Sequence, residues 1–381
     1  MGKTALILGA GVGGIVAAET LRKLLPAEHR VIVVEREPNH VFAPSLLWHI
    51  VGANKRADFT RPISALAAKG IELVTGEIEH IDPEALSVKA AGQVLRGDSL
   101  VIALGADYAP EAVPGLAKYG INLYTLAGAE TIRAALESFR GNRIVVLTAA
   151  PAYKCPAAPY EAAMLVDAWC KKRRTGNAVE VAIYAAEPQP MPVAGPAVGG
   201  QLKMMLERKG IAYFPSHQVT EVEAGRLHFS DGKSTGFGLL IYVPPHRVPA
   251  VVKESGLTTE SGWVSVDRGT LETKFPNVYA IGDVTAIPLK MGKPLPKAGV
   301  FAHGQAEVVA RNVARAWTGK GEAARFDGHG MCFVEVGGGM AGFGSGNFYA
   351  EPTPAVRLRM PSPLWHLGKI LYEKYWLWSR F

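Results

Sequence analysis

KTALILGAGVGG, residues 3 to 14, is an apolar run that breaks into three glycines, Gly9, Gly11 and Gly14. The run from Thr4 reads as a strand, Ile15 to Leu25 as a helix and Arg30 to Glu35 as a second strand, a βαβ unit with a right-handed crossover. The three glycines meet different steric demands. Gly9 permits the tight turn, Gly11 lets the backbone approach a pyrophosphate, and Gly14 lets helix and strand pack closely. The helix N-terminus then offers amide donors to the phosphates. Glu35 ends the second strand about 20 residues on, where an acid accepts hydrogen bonds from ribose hydroxyls. This unit binds a dinucleotide but does not tell FAD from NAD.

Beyond that unit, residues 71 to 103 read as short strands (IELVTG, EIEHID, LSVKA, SLVIALG), a β insertion into the first fold. Thr273 to Asp283, TKFPNVYAIGD, resembles the flavin motif whose aspartate bonds the ribityl chain, which gives Asp283 that role and Gly282 the close approach. VIALGADYAPEAVPG, residues 101 to 115, resembles the element that links the two domains of such proteins, with Leu104 in place of the usual threonine and Gly105 behind it. FAD is the cofactor these pieces imply.

RIVVLT, residues 143 to 148, starts a second βαβ unit, with a helix over 159 to 173, a strand at 179 to 185, and strand-like segments at 211 to 214, 219 to 229 and 239 to 243. One fold is thus used twice. The expected organisation is a FAD-binding domain from 1–110 and 255–325, a second Rossmann-like domain at 111–254, and a C-terminal redox, quinone and membrane-contact region at 326–381. After RIVVLT the glycines are gone: Ala149, Ala150, Pro151, Ala152, Tyr153 and Lys154 follow. A Cβ obstructs the backbone's approach to pyrophosphate and proline removes an amide donor, so a pyridine nucleotide is disfavoured as electron donor. EPQPMPVAGPAVGGQ, residues 187 to 201, reads as a loop.

With 48% hydrophobic and 20% charged residues the 381-residue chain reads as globular, long enough for two or three domains. Its formal charge of +7 favours anionic small molecules or anionic lipid, and the lack of Lys/Arg runs interleaved with aromatics argues against nucleic acid. No metal-ligand spacing is expected. No signal-peptide pattern precedes the first strand, and charges interrupt every apolar stretch short of a membrane span, so the expected location is the cytoplasmic side.

Three cysteines are too few for a disulfide framework, which makes any disulfide redox-active rather than structural. Cys155 lies just before a helix, where the dipole, the amides and Lys154 are expected to lower its pKa; the alternative is an inert buried thiol. Cys332 opens CFVEV, with Val334 and Val336 on the same strand face, and GGGMAGFGSG (337 to 346) follows as a loop, either a surface linker or a cover over the site. Cys170 lies roughly 22 Å along the helix from Cys155, out of reach of the same site. Glu161, in the helix's first turn, either complements the dipole or handles protons. The C-terminal LWHLGKILYEKYWLWSRF places Leu364, Leu367, Leu371, Tyr375 and Trp378 on one helical face, with Lys369 and Glu373 paired four residues apart. Such a helix either lies in a membrane interface or docks on its own domain.

These residues together resemble the sulfide:quinone oxidoreductases, with flavocytochrome c sulfide dehydrogenase as a cousin, over essentially the whole chain. The most specific pieces are CPAAPYE from Cys155 to Glu161, the partner Cys332, FAPS from Phe42 to Ser45, PKAG from Pro296 to Gly299, and KILYEKYW from Lys369 to Trp376. The resemblance implies a glutathione-reductase-like α/β fold of two Rossmann-like domains plus a C-terminal amphipathic membrane-associating segment, in a peripheral membrane protein compatible with homo-oligomers. It implies a redox pair Cys155/Cys332 beside the flavin with Glu161 near it, Pro44 and Ser45 at the isoalloxazine ring, Ile78 in the cofactor set, and Lys297 at the pyrimidine end. Met331, Phe333, His303, Lys369 and Tyr372 are implied for the quinone. The implied activity oxidises hydrosulfide to polysulfide and passes electrons to a membrane quinone. A cytochrome c acceptor, or type II NADH:quinone oxidoreductase activity, are the alternatives. Phe42 stands near the place where the flavocytochrome has its flavin-linking cysteine, so FAD is expected to be non-covalent. Tyr124 stands near the place of a third cysteine that many members carry, and His303 where quinone-linked members often have Glu.

Overall fold

A computed structural model describes residues 2–173 and 179–381. Its frame is two five-stranded parallel sheets. The first runs Val278–Ala280, Ser99–Ile102, Thr4–Leu8, Arg30–Glu35, Glu72–Thr75; the second runs Ile121–Asn122, Leu239–Val243, Arg143–Thr148, Glu180–Ala185, Ala212–Phe214. Each strand alternates between two faces that are both covered, so the central runs are apolar throughout: Ala5, Leu6, Ile7 and Leu8, or Ile144, Val145, Val146 and Leu147, are fully buried. Each sheet also carries an antiparallel three-stranded insertion, Ile78–Asp82 with Ser87–Ala90 and Gln93–Arg96 in the first, and Val219–Glu223 with Arg226–Phe229 and Ser234–Gly236 in the second.

The first crossover helix spans Val12–Leu24, taking in residues that the glycine pattern alone assigns to the turn. The second spans Ala158–Arg173 and carries Cys170 and Glu161. Two loop expectations are corrected. Residues 187–201 are not loop throughout, because a helix begins at Pro196, whose fixed φ suits the first helical position. Residues 337–346 are neither linker nor cover: Gly337, Gly338 and Gly339 turn with positive φ, and Met340–Asn347 pairs antiparallel with His329–Gly337. Ala355–Ser362 completes that third sheet.

The chain ends in the helix Pro363–Arg380, capped by Ser362, whose hydroxyl accepts from Trp365 N–H at 3.4 Å. Its far end is tied to the first fold by Glu19, buried in the first crossover helix, which accepts from both Lys69 Nζ and Arg380 Nη1.

Helix and strand meet so closely at the first glycine turn that a Cβ on Gly14 would stand 1.8 Å from the Gly9 carbonyl oxygen. At Gly13 its tightest contact would be the flexible tip of Ile281, at 3.1 Å, with the Ala302 Cβ at an ordinary 3.5 Å. Gly14→Ala is therefore expected to destabilise by about 2 kcal/mol or more and Gly13→Ala by less than about 1, checked by denaturant unfolding; equal losses would contradict the packing argument.

Candidate active site

The first fold offers an open cradle at the C-terminal end of its sheet. Gly9 has φ +98° and a Cβ there would meet the Ala103 carbonyl oxygen at 2.6 Å, whereas nothing lies within 4 Å of the Cβ position of Gly11 or Gly105. Glu35 accepts from Ala10 N–H at 2.7 Å and Glu37 N–H at 2.9 Å, which aims its carboxylate along the rim of a cavity of about 250 Å³ lined by Val33, Pro38, Ile63 and Leu73. Gly282, at φ +73°, donates its N–H to Gln305 at 2.7 Å. Beside it Asp283 Oδ1 is buried without a hydrogen-bond partner, an oxygen that asks for a ligand hydroxyl. Lys297 Nζ donates to the Asp283 and Thr285 carbonyls at 2.6 and 2.9 Å over the Trp263 ring, and burial pulls its pKa down to about 8. Phosphate cradle, ribose acid and unpaired ribityl acceptor together fit FAD. Ile78 contributes its side chain to the apolar cluster of Leu6, Leu8 and Val34.

Cys155 lies in the loop between the strand Arg143–Thr148 and the helix Ala158–Arg173, held in an unusual backbone state with φ +48°. Its N–H donates to the Lys297 carbonyl at 2.7 Å, and its carbonyl accepts from Ala158 N–H at 2.9 Å and from Tyr124 Oη at 3.3 Å. Cys332 sits on the strand His329–Gly337 with its thiol donating to the Phe333 carbonyl at 3.2 Å. The two thiols are charge neighbours of one another and of Glu161 and Lys369, so the fold brings together residues that are far apart in sequence.

The electrostatics correct the expected low pKa of Cys155. Both cysteines touch some solvent, yet protein surrounds each sulfur. Burial pushes the Cys155 thiol up to about 12, with Glu161 adding to the rise and Lys369 and Ala158 N–H opposing it; Cys332 is raised well above its ordinary value by burial, then by Glu161 and Cys155. Lys154 is not the main cation that assists: its ammonium lies over the Tyr108 and Tyr124 rings, and its charge interaction with Cys155 is the smaller one. Lys369, from the terminal helix, takes that place. Glu161 is itself buried, accepting from Glu335 N–H at 2.7 Å and Lys369 Nζ at 3.4 Å, and burial outweighs both in raising its pKa. Burial lowers Lys369, but Glu161, Glu335 and the sulfurs outweigh it and the net shift is upward. The expected pairing of Lys369 with Glu373 is therefore not made; Glu373 turns to the buried Ser45 hydroxyl. Pro44 and Ser45 form a short 3-10 turn directly against that helix.

Of the residues expected at the quinone, Phe333 and Tyr372 share an aromatic row with Phe42 and Trp376, at centroid distances of 6.0 to 6.5 Å. His303 also approaches Trp376, at a centroid distance of 5.9 Å, while Met331 is exposed. Sequence reasoning missed Glu335 with its His366 partner at 3.0 Å, Trp48 against Lys369, and the Ser45–Glu373 contact. Each joins residues far apart in the chain, so no local pattern signals it.

A thiol at about 12 fixes a pH profile. In a Cys170→Ser, Cys332→Ser protein with flavin bound, alkylation of Cys155 is expected to rise about tenfold per pH unit from 7 to 10 without a plateau, and Lys369→Met to slow it severalfold at each pH. A plateau below pH 9 would contradict the burial argument.

The profile of the family described as pyridine nucleotide-disulphide oxidoreductase matches residues 3–306. The chain is 26% identical to the sulfide-quinone reductase of Aquifex aeolicus, over 100% of this chain and 91% of the relative. It is 25% identical to the mitochondrial sulfide:quinone oxidoreductase of Mus musculus, over 87% and 75%. The X-ray structure of the Aquifex aeolicus sulfide:quinone oxidoreductase superposes with a TM-score of 0.90 at 25% identity, covering 99% of this chain and 91% of that one. Together with the paired parallel sheets and the open FAD cradle, the match over most of the chain means that the protein belongs to the pyridine nucleotide-disulphide oxidoreductase family.

Proposed function

We propose that this protein is a FAD-dependent sulfide:quinone oxidoreductase that oxidises hydrosulfide to polysulfide at Cys155 and Cys332. One observation carries the reading: Cys155, in a second fold whose phosphate-binding glycines are replaced, and Cys332, on the third sheet, share a buried Glu161–Lys369 pair. Relatives that the chain matches over most of its length are named sulfide-quinone reductase and sulfide:quinone oxidoreductase. In this reading residues 1–110 and 255–325 hold FAD, 111–254 present Cys155, and 326–381 supply Cys332 and the terminal helix.

Gly9, Gly11, Gly14, Glu35, Gly105, Gly282, Asp283 and Lys297 hold the cofactor non-covalently. Hydrosulfide attacks one sulfur of the oxidised Cys155–Cys332 pair; that S–S bond breaks, leaving a persulfide on one sulfur and a thiolate on the other. Glu161, whose buried carboxyl has a raised pKa, takes the proton of the persulfide, and Lys369 balances the negative charge that the thiolate brings into the site. Per turnover hydrosulfide yields one sulfane sulfur, one proton and two electrons, and the sulfur joins a growing polysulfide. Bound FAD would supply the two-electron relay from sulfur to quinone, which takes up two protons. Phe333, Tyr372 and Lys369 face the quinone.

The terminal helix suits a membrane surface. Its outward side presents Leu364 at 75%, Leu371 at 59%, Tyr375 at 60% and Trp378 at 80% exposure, while its charged Lys369 and Glu373 are buried. Among the described residues no helix is long and apolar enough to cross a membrane, so the helix would lie in the interface, bringing quinone to the site from the bilayer.

Two experiments test this. Cys155→Ser and Cys332→Ser are each expected to lower sulfide-dependent quinone reduction by at least about 100-fold and Cys170→Ser by less than twofold; survival of activity in Cys155→Ser would defeat the mechanism. Leu371→Glu with Trp378→Glu is expected to abolish co-flotation with anionic vesicles while leaving flavin content intact, each lost apolar contact being worth roughly 2 kcal/mol. Undiminished flotation would remove the membrane assignment.

A further inference from the structure

The second fold lacks a nucleotide cradle, yet the place is not empty. Glu187 follows the strand Glu180–Ala185 much as Glu35 ends its own second strand, on the side where the crossover helix packs. The two acids behave differently. Glu35 takes only backbone N–H donors and faces a cavity. Glu187 is 0% exposed and accepts three hydroxyls: Thr148 Oγ1 at 2.6 Å, Tyr153 Oη and Tyr160 Oη. Thr148 ends the first strand, Tyr153 lies in the loop after it, and Tyr160 belongs to the cysteine helix. Burial raises both tyrosines well above their ordinary range, so each remains a donor.

These contacts bracket Cys155. The strained φ of +48° at Cys155 persists only if its surroundings over-determine it. Tyr153 is fixed two residues before it; the Lys154 carbonyl accepts from Tyr124 Oη at 2.6 Å; Cys155 N–H is held by Lys297; and Tyr160 pins the first turn of the following helix. Three hydroxyls on one buried carboxyl tie the strand end before Cys155, the loop and the helix after it to a single point.

We propose that Glu187 is a positioning residue for Cys155: the acid of the second nucleotide fold has turned inward, where its three hydroxyl partners clamp the Cys155 loop and fill the space a pyridine nucleotide would need. The inference rests on the reading that Cys155 reacts with sulfide, and its test is separable from that reading.

In a Cys170→Ser, Cys332→Ser background with FAD bound, Tyr153→Phe and Glu187→Ala are expected to speed iodoacetamide alkylation of Cys155 at least fivefold at fixed pH, because the loop loosens. With all cysteines restored, the same changes are expected to lower kcat for sulfide-dependent quinone reduction about tenfold and leave KM for the quinone within twofold. Thr148→Ser, which keeps its hydroxyl, should match the parent in both. Should Glu187→Ala fail to fold, Tyr153→Phe, which removes a single oxygen, carries the test. A melting temperature that falls while alkylation and kcat stay within twofold of the parent would overturn the proposal, leaving Glu187 a structural anchor only. If the unaltered protein failed to oxidise sulfide, the functional reading would fail, while the alkylation rates would still decide whether Glu187 positions Cys155.

Discussion

The buried pair of Glu161 and Lys369 is the constraint that organises the site. Their side chains are 3% and 7% exposed, and isolated charges so deep in protein are strongly disfavoured unless paired. The pairing joins the cysteine helix to the terminal helix across 208 residues of sequence. It also fixes Cys332, because the same Glu161 oxygen accepts the N–H of Glu335, three residues further along the Cys332 strand. Ammonium, carboxyl and two thiols thus hold one another's charge states, with burial raising both sulfurs and Lys369 partly offsetting it.

That pair also sets which way the terminal helix faces. Lys369 toward Glu161 and Glu373 toward Ser45 put two of the helix's charges inside while Lys374 stays exposed, and the same rotation turns Leu364, Leu371 and Trp378 outward. An ordinary surface helix has the opposite arrangement. The inversion therefore couples the chemistry of the cysteine site to the exposure of an apolar stripe, with the Glu19–Arg380 contact holding the far end in the same orientation.

The glycine turn and both parallel sheets were legible in the sequence, because each rests on local spacing within a strand, a turn or a helix start. The strand at 143–148 is found where the apolar run places it, and the cysteine helix begins within a residue of its expected start. What local pattern misjudged was anything decided by tertiary contact. A cysteine before a helix reads as acidic, yet desolvation outweighs the amide at Cys155. Lys369 and Glu373, four apart on one helix, read as a pair, yet each finds a buried partner elsewhere. The glycine-rich 337–346 reads as loop, yet its neighbour strands supply a ladder. Glu187 carried no signal at all, since its three hydroxyl partners converge only on folding.

One fold has thus been used twice to opposite ends. In the first the turn is open, glycine-lined and bounded by an unpaired Asp283 oxygen; in the second the turn is closed around Glu187 and presents a cysteine. On the proposed function, electrons reach FAD through sulfur and not from a pyridine nucleotide. Anaerobic stopped-flow mixing of the FAD-loaded protein decides between the two routes: hydrosulfide is expected to bleach the flavin absorbance rapidly and NADH to leave it unchanged, and rapid bleaching by NADH alone would contradict entry through sulfur.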